Sequence, residues 1–218
     1  GPLNPGQTEI SDRILENAAQ LSKLVNELLA QSRLEAHSAQ QLHLDIVDPQ
    51  LVVERIARMH ESAAIRKAIG LEIALEKGMP RRVVTDVSRL EQIINNLVGN
   101  AVKFTERGHV TVTAAPYGED DWRLTVKDTG IGIKPEDRAH IFEPFRQGEQ
   151  SITRRYGGVG LGLALVKAYV EQLGGSLAFE SAVGSGSTFM VTLPTASRAI
   201  AAEETAEAPK TQLNAAAV

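Results

Sequence analysis

Cysteine is absent from the 218-residue sequence. That removes disulfide frameworks, thiolate metal sites and cysteine nucleophiles together. It fits a reducing compartment without requiring one. No apolar run approaches the roughly 18–20 residues that a membrane span needs. An excess of positive charge is also missing: 23 Lys and Arg stand against 27 Asp and Glu, a formal net charge of −4. No global positive field is therefore available to displace counterions from nucleic-acid phosphates, so a nucleic-acid partner is not expected. The chain opens on Gly1-Pro2-Leu3-Asn4 with no initiator Met or signal peptide. This reads as a protease scar or a cut inside a longer protein, and residues 1–8 are set apart from the fold. Aromatics are scarce at 4%, whereas 18 glycines are present and unevenly spread. Hydrophobic residues at 43% and charged residues at 23% are ordinary for a globular protein, with length for one good core and an extra element.

Residues 9–36 read as one long helix. Ile14, Ala18, Leu21, Val25, Leu28 and Ser32 alternate at four and three residues, a heptad seam that Leu15, Leu24 and Leu29 widen. Two apolar flanks suit a helical bundle or dimer better than a single packing face. His37 to Asp45 is a polar connector. Asp48-Pro49 starts a second helix, with Asp at the N-cap and Pro at the first helical position. It is expected to run to about Lys67, with Leu51, Val52, Ile56, Met59 and Ala63 inward and Gly70 as its stop. Leu71 to Leu75 alternates as a strand, and Val83-Val84 as a short one. Asp86 or Ser88 caps a third helix ending near Phe104, with Leu90, Ile93, Ile94, Leu97, Val98 and Ala101 buried. Val110–Ala114 and Arg123–Lys127 read as strands. Between Asp128 and Gly162 periodicity fails and glycine is dense, a long loop of the kind that is usually functional. Leu163–Leu173 is helical, and Ser176–Ser181 with Ser187–Leu193 form a last hairpin around Gly184-Ser185-Gly186. From Thr195 the chain is Ala/Glu-rich without periodicity, a disordered tail over 195–218.

Four clusters carry chemistry. On the third helix Asn96, Asn100 and Lys103 are spaced i, i+4, i+7 and share a face. Amide oxygens are neutral hard ligands that Mg²⁺ accepts, and a lysine beside them neutralises phosphate charge. Asp128-Thr129-Gly130-Ile131-Gly132-Ile133 follows a strand directly. Its carboxylate can accept from an exocyclic amine such as that of adenine, and its glycines let a ligand approach the backbone. Asp-Thr-Gly also occurs in aspartic proteases, but those need two such motifs on an all-β fold. Phe142-Glu143-Pro144-Phe145 offers an aromatic anchor for a mobile loop. Gly157-Gly158-Val159-Gly160-Leu161-Gly162 runs into a helix, putting backbone N–H groups and the positive dipole end at an anion. It is neither a Walker A loop nor a dinucleotide fingerprint. Arg154 and Arg155 stand just upstream. Singly, each cluster also fits a solvated stripe or plain loop packing; their order is the distinguishing feature.

In that order they resemble the ATP-binding domain of sensor histidine kinases over about residues 40–194. The matching segments are an N box (Asn96, Asn100, Lys103), a G1 box (Asp128, Gly130, Gly132), an F box (Phe142, Phe145), a G2 box (Gly158, Gly160, Gly162) and Gly184-Ser185-Gly186-Ser187-Thr188. The resemblance implies a two-layer α/β sandwich of the Bergerat type, a mixed sheet with helices on one face, as in gyrase, MutL and Hsp90. The cofactors it implies are ATP and Mg²⁺. Asp128 would recognise adenine, with Gly130, Gly132, Ile133, Phe104, Phe142, Leu161 and Thr188 around the nucleotide. Asn100, assisted by Asn96, would hold the metal. Lys103, Arg154 and Arg155 would neutralise phosphates cradled by the backbone of Gly158, Gly160 and Gly162. Residues 9–38 resemble the second helix of the kinase dimerisation hairpin.

Two departures qualify the resemblance. The phosphoacceptor motif, a His followed by Glu and then Arg-Thr-Pro, is missing, since His37, His43, His60, His109 and His140 all lack that context. The implied chain is a truncated kinase that starts after its acceptor helix and cannot label itself. Val159 also stands where family members often carry a hydroxyl residue. Position 96 is Asn rather than the Glu with which hydrolytic relatives activate water, which favours phosphoryl transfer. The implied partners are ATP or ADP, the absent acceptor helix, a response-regulator receiver domain and a second copy of the full-length protein as homodimer. The implied location is the cytoplasmic side, any membrane anchor lying elsewhere in the full-length protein. Two rivals remain: a degenerate, non-catalytic nucleotide-binding module, and a gyrase- or MutL-like ATPase.

Overall fold

The computed structural model describes residues 42–144 and 160–195, together with Asn4, Gly6, Gln7, Ile10, Ser11, Arg13, Ile14 and Asn17. The N-terminal positions from Gly6 to Asn17 among these are helical. The rest of the predicted seam helix, Arg154, Arg155, Gly158 and the 196–218 tail lie outside the described residues.

The described elements run β1 (Asp45–Val47), α1 (Pro49–Arg58), α2 (Glu61–Arg66), β2 (Gly70–Leu75), β3 (Val83–Thr85), α3 (Val87–Phe104), β4 (His109–Tyr117), β5 (Asp121–Asp128), α4 (Gly162–Gln172), β6 (Ser176–Ala182) and β7 (Gly186–Pro194). Strands β2-β4-β5-β7-β6 form one mixed sheet in that order, with β2 parallel to β4 and the other pairs antiparallel. The α1, α3 and α4 helices cover one face, and α3 packs between the other two. The core is the apolar side of α3 (Leu90, Ile93, Ile94, Leu97, Val98) against inward strand residues Val110, Val112, Trp122, Leu124, Val126, Phe189 and Val191. This is the two-layer sandwich expected from the sequence.

Both predicted N-caps form. Asp48 accepts from the Gln50 amide at 2.9 Å, and Asp86 accepts from the Arg89 amide at 3.1 Å. The single helix expected over 49–67 is instead broken at Met59-His60. Leu51 and Met59 face solvent, at 62% and 67% exposure, rather than the core. Nor is Gly70 the stop. Ala68 takes the left-handed turn at φ 52°, and Gly70 is already the first residue of β2. The connector through Asp45 conceals a strand: β1 pairs antiparallel with β3, Asp45 opposite Thr85.

Candidate nucleotide site

The inward face of the sheet changes character in one register step. Along β5 the inward residues are Trp122, Leu124 and Val126, and then Asp128, which is only 7% exposed. On β7 the inward series Leu193, Val191, Phe189 ends in Ser187, and on the edge strand β6 Leu177 and Phe179 end in Ser181. Phe179 lies opposite Phe189 and Ser181 opposite Ser187. A carboxylate and two hydroxyls thus continue three apolar rows, and buried polar groups persist only where partners are built for them.

Those partners are present. Asp128 Oδ1 accepts from the Gly130 amide at 2.8 Å and from the Ser187 amide at 3.2 Å. Oδ2 takes no hydrogen bond from the described residues. Burial raises the Asp128 carboxyl above its ordinary pKa, and the two amides oppose that shift by favouring the ionised form. A buried carboxylate with one oxygen saturated and the other open is a directional acceptor for an amine.

The Gly-rich turn is fixed by close backbone approaches. A Cβ on Gly130 would lie 2.5 Å from the Phe104 carbonyl oxygen, and one on Gly132, at φ 69°, would lie 2.0 Å from that of Ala182. The Ile131 amide donates to the Phe104 carbonyl at 3.3 Å, which joins the turn to the end of α3. Lys103 Nζ lies 4.9 Å from the Phe104 ring centroid at this junction. Lys67 Nζ in turn donates to the Val102 and Lys103 carbonyls, each at 2.7 Å, closing the helix C-terminus.

Further along α3, Asn96 and Asn100 meet the start of α4. A Cβ on Gly162 would fall 3.1 Å from Asn96 Oδ1 and 3.8 Å from Asn100 Nδ2. The N-terminal turn of α4 therefore lies against both amides, and a side chain at position 162 would press on Asn96. Leu161 is buried just before the helix, and Gly160 has φ 78°. Phe142 packs edge-on to Phe179 at 5.6 Å between ring centroids, and Phe179 stacks on Phe189 at 5.7 Å. Residues 134–144 are thus a string of turns tacked onto the core. Phe145 and the second half of the expected loop lie outside the described residues.

One predicted contact is displaced. Thr188 sits opposite Lys127 and Glu180, on the outward face of the sheet. Strand alternation gives the place beside Asp128 to Ser187 instead. Sequence reading misses Ser181 and quotes Ser187 only within the Gly184–Thr188 segment, although Phe179-x-Ser181 and Ser187-x-Phe189 mark polar ends of alternating apolar runs. It misses His60 as well, which is held by Asn95 Oδ1 at 3.0 Å from Nε2 and whose pKa burial lowers.

These residues fit a purine nucleotide with its metal. The open Asp128 oxygen suits an exocyclic amine, and the Gly162 backbone with Asn96 and Asn100 suits phosphates. No group of three or more His, Asp or Glu able to hold a metal occurs among the described residues. Amide oxygens completed by phosphates and water remain an acceptable set for Mg²⁺.

Residues 85–197 match the family described as histidine kinase-, DNA gyrase B- and HSP90-like ATPase. The chain belongs to this family. Within it, the chain is the ATP-binding catalytic domain of a sensor histidine kinase. It is 34% identical over 193 residues to the signal transduction histidine-protein kinase BarA of Escherichia coli K12, covering 86% of this chain and 21% of BarA. It is 42% identical over 173 residues to the sensor histidine kinase AruS of Pseudomonas aeruginosa, covering 78% of this chain and 17% of AruS. Full-length ShkA, solved with AMPPNP, superposes with a TM-score of 0.77 at 35% identity, over 90% of this chain and 40% of that one. The Acinetobacter baumannii kinase AdeS gives 0.69 at 25% identity, over 89% and 87%. The chain spans about a fifth of the length of BarA. Its relatives are two-component kinases, which sets aside the gyrase- or MutL-like ATPase. No helix among the described residues is long and apolar enough to cross a membrane.

Proposed function

We propose that this domain transfers the γ-phosphoryl group of Mg·ATP to a histidine on a dimerisation helix outside residues 40–194, for onward transfer to a response-regulator aspartate. The observation that carries the reading is the two-ended site: an open oxygen on buried Asp128 at one end, and Asn96, Asn100 and the start of α4 at the other. Phosphoryl transfer needs little covalent help from a protein; positioning and charge neutralisation supply most of the barrier reduction. Asp128 orients the base. Asn100, assisted by Asn96, holds Mg²⁺, which neutralises charge on the phosphate oxygens when bound. Lys103, Arg154 and Arg155 add positive charge, and the Gly158–Gly162 backbone donates to the phosphates. Asn96 lacks a carboxylate to activate water, which supports transfer over hydrolysis.

Residues 9–38 serve as the second hairpin helix, and helical positions from Gly6 to Asn17 support that reading. The seam residues Leu21, Val25 and Leu28 then pair with an acceptor helix, in a homodimer of the full-length protein on the cytoplasmic side. None of the five histidines stands in the acceptor context. His60 is engaged by Asn95 and His140 Nδ1 by Glu143, at 2.7 Å. Near-attack geometry carries much of the rate, so the acceptor imidazole has to be presented in line with the γ-phosphate.

The test incubates the chain with γ-labelled ATP, alone and with a polypeptide carrying the acceptor helix. Acid-labile label on the added polypeptide only is the expected result. Label on the chain alone, lost in His37→Ala, would overturn the acceptor assignment. ATP binding without transfer to any acceptor would favour the non-catalytic module.

A further inference from the structure

Ser181 lies on the edge strand β6, two residues beyond Phe179 on the same inward face. Its hydroxyl accepts from the Ile133 amide at 2.8 Å, donates to the Gly186 carbonyl at 3.1 Å and lies 2.9 Å from Ser187 Oγ. A serine hydroxyl has one proton and two lone pairs. With its proton on Gly186 and its lone pairs taken by the Ile133 N–H and the Ser187 hydroxyl, Ser181 has no capacity left. It makes no hydrogen bond to Asp128 itself.

Its partners nevertheless belong to the two segments that hold that carboxylate. The Gly130 amide reaches Asp128 Oδ1 from the Gly-rich turn, and the Ser187 amide reaches it from β7. Ser181 ties the turn at Ile133 to β7 at Gly186. The result is a closed circuit: Asp128, Gly130, the turn to Ile133, Ser181, Gly186, Ser187 and back to Asp128. Gly184 donates to the Ile131 carbonyl at 2.8 Å beside it. The same strand also holds the chain farther along, where Phe179 meets Phe142.

We propose that Ser181 is a positioning residue for base recognition: by closing this circuit it fixes the Asp128 carboxylate with Oδ2 turned to the exocyclic amine of an adenine nucleotide. The inference rests on the assignment of Asp128 to the base. Replacing the hydroxyl leaves the Ile133 N–H and the Gly186 carbonyl without this partner, and the two amides on Oδ1 are then carried by segments with one tie fewer between them, the Gly184–Ile131 hydrogen bond remaining. Guanine presents a carbonyl where adenine presents an amine, so loss of orientation costs discrimination as well as affinity.

The experiment measures Mg·ATP and Mg·GTP binding by calorimetry for the wild-type chain, Ser181→Ala, Ser181→Thr and Asp128→Asn. Hydrogen exchange is followed at the Gly130 and Ser187 amides. In Ser181→Ala, ATP binding is expected to weaken by about tenfold and the ATP-over-GTP preference to shrink, with cooperative unfolding kept and both amides exchanging faster. Ser181→Thr keeps the hydroxyl on a strand that accepts β-branching, and is expected to restore affinity and preference. Should Ser181→Ala not fold, Ser181→Cys fills the same place with a weak hydrogen-bonding group and is expected to lose preference in the same direction. Wild-type affinity and preference in folded Ser181→Ala, beside their loss in Asp128→Asn, would overturn the positioning role alone. Unchanged binding in Asp128→Asn would overturn the base assignment and this proposal with it.

Discussion

The two ends of the nucleotide site are built on different terms. At the base end, Asp128 is buried on a central strand, and its orientation is set by backbone amides from two segments. At the phosphate end, Asn96 and Asn100 project from α3 toward Gly162 with no hydrogen bond to the described residues. The first end is pre-formed by hydrogen bonds the protein makes with itself. The second is contributed by side chains of one helix, α3, and the first turn of another, α4, with Arg154 and Arg155 in a stretch outside the described residues. A rigid end suits a part of the ligand that is the same before and after reaction. An end made of helix side chains suits the part that changes charge.

The sharpest way to break this contrast is at its tightest backbone approach. Gly132→Ala and Gly186→Ala each put a Cβ 2.0 Å from a carbonyl oxygen, of Ala182 and Asp128 respectively, at φ 69° and 98°. Each is expected to cost upwards of about 2 kcal/mol and to abolish nucleotide binding. Urea unfolding and calorimetry check both; a wild-type midpoint would refute the rigid-end description.

Next in size is Asp128→Asn, which removes the charged acceptor and keeps the shape. ATP affinity should drop by about 10–100-fold, since hydrogen bonds to charged groups are worth about 1.5–3 kcal/mol. Asn100→Ala should act differently, cutting affinity only when Mg²⁺ is present. Titration with ATP in chelator and in Mg²⁺ distinguishes the ends; equal losses in both conditions would dissolve the metal assignment.

Acidification separates stability from binding at Asp128. Its native pKa is raised by burial, so the folded state holds the proton to higher pH than the unfolded chain. Its contribution to stability is therefore present below the ordinary carboxyl value and lost as pH rises through the raised one. Binding runs oppositely, because only the ionised form is a pure acceptor. As pH rises from the ordinary carboxyl value through the raised one, affinity should rise while this stability contribution falls, and Asp128→Asn should flatten both curves. His60 has the reverse linkage. Burial lowers its pKa, so its stability contribution is present above the ordinary histidine value and lost as pH falls through the lowered one. His60→Gln should soften that loss in urea melts. The smallest effect is expected at Ala68→Gly, which relieves a φ of 52° for a gain of about 0.5–1 kcal/mol and no change in ATP affinity.

Sequence reading reaches the parts of this molecule that local chemistry decides. Asp48 and Asp86 are caps because an oxygen before a helix satisfies its first amides, and the chain around them says so. Asp128 is legible because a carboxylate at the end of an apolar alternation has to be answered by something. What stays hidden depends on partners distant in the chain. β1 exists only because Val83–Thr85 pairs with it. Ser187 rather than Thr188 faces the carboxylate because of the register between β5 and β7. A one-residue difference there moves a side chain to the opposite face. The break at Met59-His60 is another such case, since residues 49–67 carry a helical pattern throughout, and His60 at the break is bonded to Asn95 on α3.

The hydrogen bond from Ser187 to Asp128 joins positions 59 residues apart in sequence. Viewed as polymer closure, the entropic cost of such a junction grows only with the logarithm of the chain between its ends, about 0.6 kcal/mol for each doubling of a flexible stretch. The entropic cost of this junction is thus nearly indifferent to how many residues lie between Pro144 and Gly160, beyond the Ile133 and Phe142 contacts. Insertions, deletions and changes of composition there can be sampled over evolutionary time while the carboxylate keeps its place, so one half of the nucleotide site can be rewritten for new partners without disturbing the other.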